Sequence, residues 1–146
     1  MLVLKPITME NLHDFSGTEY DAMTEDERRE MIENSLRKSH QGRYFEMLAV
    51  YRDDAVVGFM NLFAQSEHII SCGPEIKADF RRQGLAALAE TQVLRYAKDK
   101  GYTVAVGRVR EDNAASIALH EKLGFELALT YTNPKGKPMR LYVRAL

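Results

Sequence analysis

The chain has 146 residues, 45% of them apolar, and a formal net charge of −1. That predicts one domain over residues 1–146, with about two-thirds of its unfolded surface to bury, and leaves no overall charge to draw nucleic acid or an anionic membrane. No apolar run approaches the roughly 20 residues of a membrane span, and a single cysteine, Cys72, allows neither an intrachain disulfide nor a cysteine zinc site.

"LVLKPI" (Leu2–Ile7) reads as a strand that ends at Pro6. The opening "MLVLKPITMENLHDF" is too short in its apolar part, and too acidic after it, for a signal peptide. With the lone cysteine, that fits a reducing cytoplasm. Thr8 caps a short helix through "MENLHDF". A longer helix starts at Thr24, which has capping-box spacing to Glu27, and Met31, Ile32, Ser35 and Leu36 form its apolar stripe. "RYFEMLAVYRDDAVVGFMNLFAQ" reads as two strands joined by a tight turn at Asp53–Asp54. A further strand covers "EHIISCGPEIK". Proline donates nothing to a ladder, so a bulge or a loss of pairing is expected at Gly73–Pro74. Cys72 reads as a buried structural thiol. His68 would share its face of that strand, but about 13 Å away.

From Leu85, apolar residues fall at Leu88, Ala89, Val93, Tyr96 and Ala97, a helical spacing that Lys98, Lys100 and Gly101 end. "YTVAVGRV" is a buried strand. "DNAASIALHEKLGF" is a short helix capped by Asn113 and stopped by Gly124, with Ile117 and Leu123 inward. "ELALTYT" and "KPMRLYVRAL" close the chain as a hairpin around "NPKG". The order predicts an α+β (α/β) domain with a mixed sheet.

Between the fourth and fifth of these strands lies the chemically pointed stretch, "DFRRQGLAALAETQ" (Asp79–Gln92). A strand followed by a glycine turn at a helix start leaves backbone N–H groups without partners, and the helix dipole adds about half a positive charge there. Gly84 lets the main chain approach a ligand, Ala86 and Ala87 keep the first turn low, and Arg81 and Arg82 add charge. The pattern predicts a diphosphate cradle made of backbone. It is neither a Walker sequence nor the dinucleotide fingerprint.

"RRQGLA" (Arg81–Ala86) resembles the Arg/Gln-x-x-Gly-x-Gly/Ala signature of the GCN5-related N-acetyltransferases. "NAASIALHEKLGFE" (Asn113–Glu126) is similar to that family's second motif, and both occur in the right order. The resemblance implies a three-layer fold, with a splayed, mostly antiparallel sheet of six to seven strands flanked by helices. It implies acetyl-CoA as co-substrate in the opening between the fourth and fifth strands, and no metal. Carried over, the N–H groups of Arg82, Gln83, Gly84, Leu85, Ala86 and Ala87 hold the pyrophosphate, with the Arg81 charge beside them. The edge of the fourth strand, Glu75, Ile76 and Lys77, pairs with the pantetheine amides. Asn113 sits near the pantetheine or phosphate arm as well as capping its helix.

The implied activity is transfer of an acetyl group to a primary amine by direct attack. The family usually protonates the departing thiolate with a tyrosine of the second motif, where this chain has His120. His120 is one candidate acid; packing alone is its other reading, with Tyr131, Tyr142 or Tyr96 as substitutes. Glu75 is the favoured general base, ahead of Glu67 and His68. The acceptor is a small-molecule or peptide amine, and the closing hairpin leaves a homodimer open. Two other classes compete: a non-catalytic acyl-CoA-binding or sensing module, and an interaction domain whose "FRRQG" meets an acidic partner.

Overall fold

The computed structural model describes residues 1–146. Eight strands and three α-helices alternate along the chain. They are β1 (Leu2–Pro6), α1 (Glu25–Arg37), β2 (Ser39–His40), β3 (Arg43–Arg52), β4 (Ala55–Ala64), β5 (Ile69–Ile76), α2 (Leu85–Asp99), β6 (Val104–Arg110), α3 (Ala114–Lys122), β7 (Glu126–Thr132) and β8 (Pro138–Ala145). Single 3-10 turns at Met9–Asn11, Glu19–Ala22 and Ala78–Phe80 fill the connections. The first is what the helix expected after Thr8 becomes. No helix is long and apolar enough to cross a membrane.

The main sheet runs β1-β3-β4-β5-β6-β8-β7, and the two-residue β2 pairs only with β3. Every pairing is antiparallel except β5–β6. Two apolar clusters cover the two faces. Leu48, Val50, Met60, Ile70 and Ile76 pack under α2. Ile7, Phe15, Ile32, Met47 and Phe59 pack under α1 and the 3-10 turns. The sheet is therefore the middle of three layers.

Local chemistry sets the boundaries. Thr24 and Glu27 form the expected capping box on α1, and Lys38 ends the helix in a left-handed conformation. Asp53 takes φ +57 in the two-residue turn between β3 and β4. Two inward faces differ from the sequence reading. On α1, Leu36 points to solvent. On α2, Leu88 is 57% exposed while Glu90 is fully buried; the 3.6-residue period fixes a stripe, but the side α2 presents is set by the sheet beneath it.

The bulge expected at Gly73–Pro74 is absent. Gly73 pairs with Asn61 and Pro74 with Met60 without any shift in register. The bond from Lys77 N–H to the Val57 carbonyl sets the alternation of the β4–β5 ladder. It makes Pro74 and Met60 a pair that exchanges no hydrogen bonds, so the missing donor of Pro74 faces away from β4. The other half of the expectation is met there. β5 pairs with β6 only at Ile69–Val104, Ile70–Ala105 and Ser71–Val106, although β5 continues to Ile76 and β6 to Arg110. Beyond Ser71 the two strands part, and the sheet opens as a wedge.

Candidate functional site

The wedge opens into a cleft of about 650 Å³. One wall is Pro74, Glu75 and Ile76 of β5 with the turn and first residues of α2. The other wall is α3, including Asn113, Ser116, Leu119 and Lys122.

The turn at the cleft has the geometry its sequence predicts. Arg82 and Gly84 both take positive φ, +63 and +74, and Gly84 is the residue from which α2 starts. For glycine this conformation carries no Cβ penalty, and nothing of the protein lies within 4 Å of where a Cβ would stand. None of the N–H groups of Arg82, Gln83, Gly84, Leu85, Ala86 or Ala87 donates to another atom of the protein. These are the orphan donors of a helix start, extended by the turn before it, at the end of α2 where the dipole is positive. The turn thus offers backbone donors, no side chain at Gly84, and cationic side chains close by.

The arginines divide the work. Arg81 is a strut: its Nε donates to the Ile76 carbonyl at 3.0 Å and its Nη2 to Glu75 Oε1 at 3.3 Å, tying the turn to β5. Arg82 has no partner in the protein and is the free charge. Gln83 turns its side chain away, its Oε1 accepting from Arg52 at 2.5 Å, and it is the one residue of the turn that does not line the cleft. Lys122, at the end of α3, lines the opposite wall; the motif reading missed it, and its place in the last turn of α3 was the available signal. On β5, Glu75 and Ile76 line the cleft and Lys77 follows directly. Asn113 also lines it, while its Oδ1 accepts the Ser116 N–H at 3.0 Å as a helix cap.

His120 stands as the second of its two sequence readings, packing, describes. It is 4% exposed and absent from the cleft wall. Its Nδ1 lies 2.7 Å from the Ser116 carbonyl, which can only accept, so that nitrogen carries the proton. The ring stacks on Tyr142 and meets Phe125 edge-on. Its Nε2 faces Gly107, where a Cβ would collide with it. Burial lowers the imidazole's pKa, and the Ser116 carbonyl opposes that in part. A neutral ring with its only proton spent on backbone is packed as a wedge between α3 and β6. The geometry therefore favours packing over proton donation, because the acid would need the imidazolium that burial disfavours.

None of the substitute tyrosines lines the cleft. Tyr96 donates to the buried Glu46 at 2.7 Å, on the other side of α2. Tyr142 is buried, with its hydroxyl 3.4 Å from Glu121. Tyr131 lies on the edge strand β7. Glu67 and His68 are exposed in the turn before β5, not in the strand, and neither lines the cleft. Cys72 is buried, and its thiol is pushed up to about 12 by burial and by Glu90. Glu75 points to the α1 face. Its Oε1 takes the Glu19 N–H at 3.0 Å besides Arg81, and Oε2 has no protein partner. The neighbouring Glu19 carboxyl is raised above the usual range by burial and by Glu75.

The model of the acetyltransferase (GNAT) family matches residues 8–125. No curated protein matches the chain by sequence. Among solved structures, an N-acetyltransferase from Staphylococcus aureus Mu50 is 23% identical, with 99% of this chain and 98% of that one covered at a TM-score of 0.83. The ribosomal-protein-alanine N-acetyltransferase of Brucella melitensis is 20% identical, covers 99% of each chain and has a TM-score of 0.84. An acetyltransferase from Salmonella typhimurium, solved with its cofactor acetyl-CoA, is 14% identical over 100% of this chain and 94% of that one, at 0.82.

Proposed function

The chain belongs to the acetyltransferase (GNAT) family, and from that premise we propose that it moves an acetyl group from acetyl-CoA to a primary amine by direct attack. One observation carries the reading: the unspent N–H groups of Arg82–Ala87 stand at the mouth of a wedge that no other strand fills. In this reading the turn binds the pyrophosphate and Arg82 and Lys122 flank it. The edge of β5 beyond Ser71 offers its outward carbonyls and N–H groups to an extended, amide-bearing arm lying in the wedge. Asn113 keeps its cap and borders that arm.

Acetyl-CoA supplies the activated acetyl carbon and a thiolate leaving group. The protein must then deliver a neutral amine. Glu75 is the base in this proposal: Oε1 is held by Arg81 and the Glu19 N–H, and Oε2 is free to take the proton directly or through water. His120 sets the position of α3 against Gly107 and does not donate a proton, so the thiolate leaves unaided. One feature favours a CoA-binding module without turnover as the second reading: no tyrosine lines the cleft.

The two readings separate in one experiment. Acetyl-CoA is titrated calorimetrically, and release of free thiol is followed against a broad panel of amines. Binding with amine-dependent thiol release is the expected result. Binding without release on any amine would favour the module, and no binding would end both.

A further inference from the structure

The face of the sheet turned away from α2 and α3 carries an arrangement that the cofactor does not use. Gly73 lies on that face, where β5 leaves β6, and an added Cβ there would meet nothing within 4 Å. It is a bare step at the vertex of the wedge. Side chains of opposite charge border it.

On the β4 side, Asn61 pairs with Gly73. Its Nδ2 donates to the hydroxyl of the buried Tyr20, and its Oδ1 is buried with no partner. A buried acceptor without a donor is costly, and an ammonium or amine N–H would relieve it. Two residues along the same face stands the Glu75 carboxylate, with Glu19 beside it. This end of the step has an excess of acid, since Arg81 is the one cation paired to it.

On the β6 side the sign reverses. Ser71–Val106 is the last pair of the parallel ladder; Gly73 follows two residues along β5 and Arg108 two residues along β6, on opposite sides of the opening. Strand alternation puts Arg108 on this same face, because Ala105 and Val109 belong to the cluster under α2. Its guanidinium donates to the neutral Gln65 amide at 3.1 Å and meets no carboxylate. An unpaired guanidinium is a fork for a carboxylate.

We propose that this step seats the acceptor and that the acceptor is a free α-amino acid, its amine over Gly73 between Asn61 Oδ1 and Glu75, its carboxylate on Arg108. The inference rests on the transferase reading above and specifies its substrate class. The amine nitrogen bonds to the acetyl carbon, the carbon–sulfur bond breaks and the sulfur leaves as thiolate. The nitrogen's proton passes to the Glu75 carboxylate and from there to water. A polyamine would bring positive charge against Arg108, and a peptide N-terminus has no carboxylate at that distance from its amine.

The test measures kcat/KM with acetyl-CoA for the twenty L-amino acids, their C-terminal amides, spermidine and an alanine-initiated tetrapeptide. At least one free amino acid should exceed its own amide about 10-fold or more. Arg108→Gln, an exposed substitution, should bring that ratio to about one, through a loss of about 10- to 100-fold on the free acid. Amides, peptide or spermidine turning over as well as the free acids would overturn the inference and leave the transferase reading standing. So would an Arg108→Gln enzyme that loses free acid and amide alike. Acetyl-CoA binding with no transfer to any amine would instead overturn the transferase reading, and the inference with it.

Discussion

The two walls of the wedge are built on opposite principles. The β5–α2 wall presents backbone: unspent N–H groups, a glycine in the left-handed region and side chains turned elsewhere. The α3 wall is packed side chain, with His120 wedged among Tyr142, Phe125 and Gly107 and its proton committed to Ser116. Each wall is backed by a buried ionisable residue, and these differ too. His120 has a partner, whereas both oxygens of Glu90, under α2, have none. Binding geometry made of backbone follows from the path of the chain. Catalytic geometry made of side chains depends on which rotamer the packing permits.

The largest effect expected from breaking the backbone wall is that of Gly84→Glu. A side chain at φ +74, carrying negative charge into the cradle, should weaken CoA beyond about 1,000-fold, or ~4 kcal/mol, with the far-UV spectrum retained. Calorimetric affinity within about threefold of the parent would remove the backbone wall as the binding element.

Next comes the residue behind it. Burial pushes the Glu90 carboxyl up to about 8, Arg144 opposing, from 4.5 in a solvated chain. The folded state thus keeps a proton that the unfolded chain releases between those values. Stability is fully present below about pH 4.5 and is lost as pH rises to about 8, by on the order of 3–5 kcal/mol. Thermal denaturation across pH 5–8 reads that slope, and Glu90→Gln should flatten it. An equal slope in parent and variant would mean that Glu90 is not protonated in the fold.

On the other wall, His120→Asn keeps a donor near the Ser116 carbonyl and removes the ring. Packing predicts a stability loss of about 1–2 kcal/mol and turnover within about threefold. A 100-fold fall in kcat would restore His120 as the acid. The smallest effect sharpens the same contrast. Asn113→Ala should cost about 1 kcal/mol as a lost cap, read by denaturant melts, and leave CoA affinity within twofold; a tenfold weakening would make Asn113 a ligand residue in its own right.

The same division explains what could be read from the chain. The turn Arg81–Ala87, the α1 capping box, the Asp53–Asp54 hairpin and the succession of the main strands along the chain were legible because each is a local preference written in a few adjacent residues. The sheet's parting beyond Ser71 was half legible: proline withholds a donor on one side of its strand, and only the register with β4 tells on which side. The inward turn of Glu90 and the outward turn of Leu88 were not legible, since a helical stripe does not say which of its edges meets the sheet, and the sequence left His120 open between acid and packing. The proposed sharing of one substrate by Glu75 and Arg108 joins residues 33 positions apart, and no local pattern announces it.

The central claim is that the amides of residues 82–87 bind the diphosphate of coenzyme A. Amide chemical shifts of the 15N-labelled protein, followed while CoA is titrated in, test it at the atoms concerned. The account predicts that the largest downfield proton shifts fall on Arg82 through Ala87, saturating with the binding isotherm. CoA binding that leaves those amides unmoved while resonances elsewhere shift would contradict it.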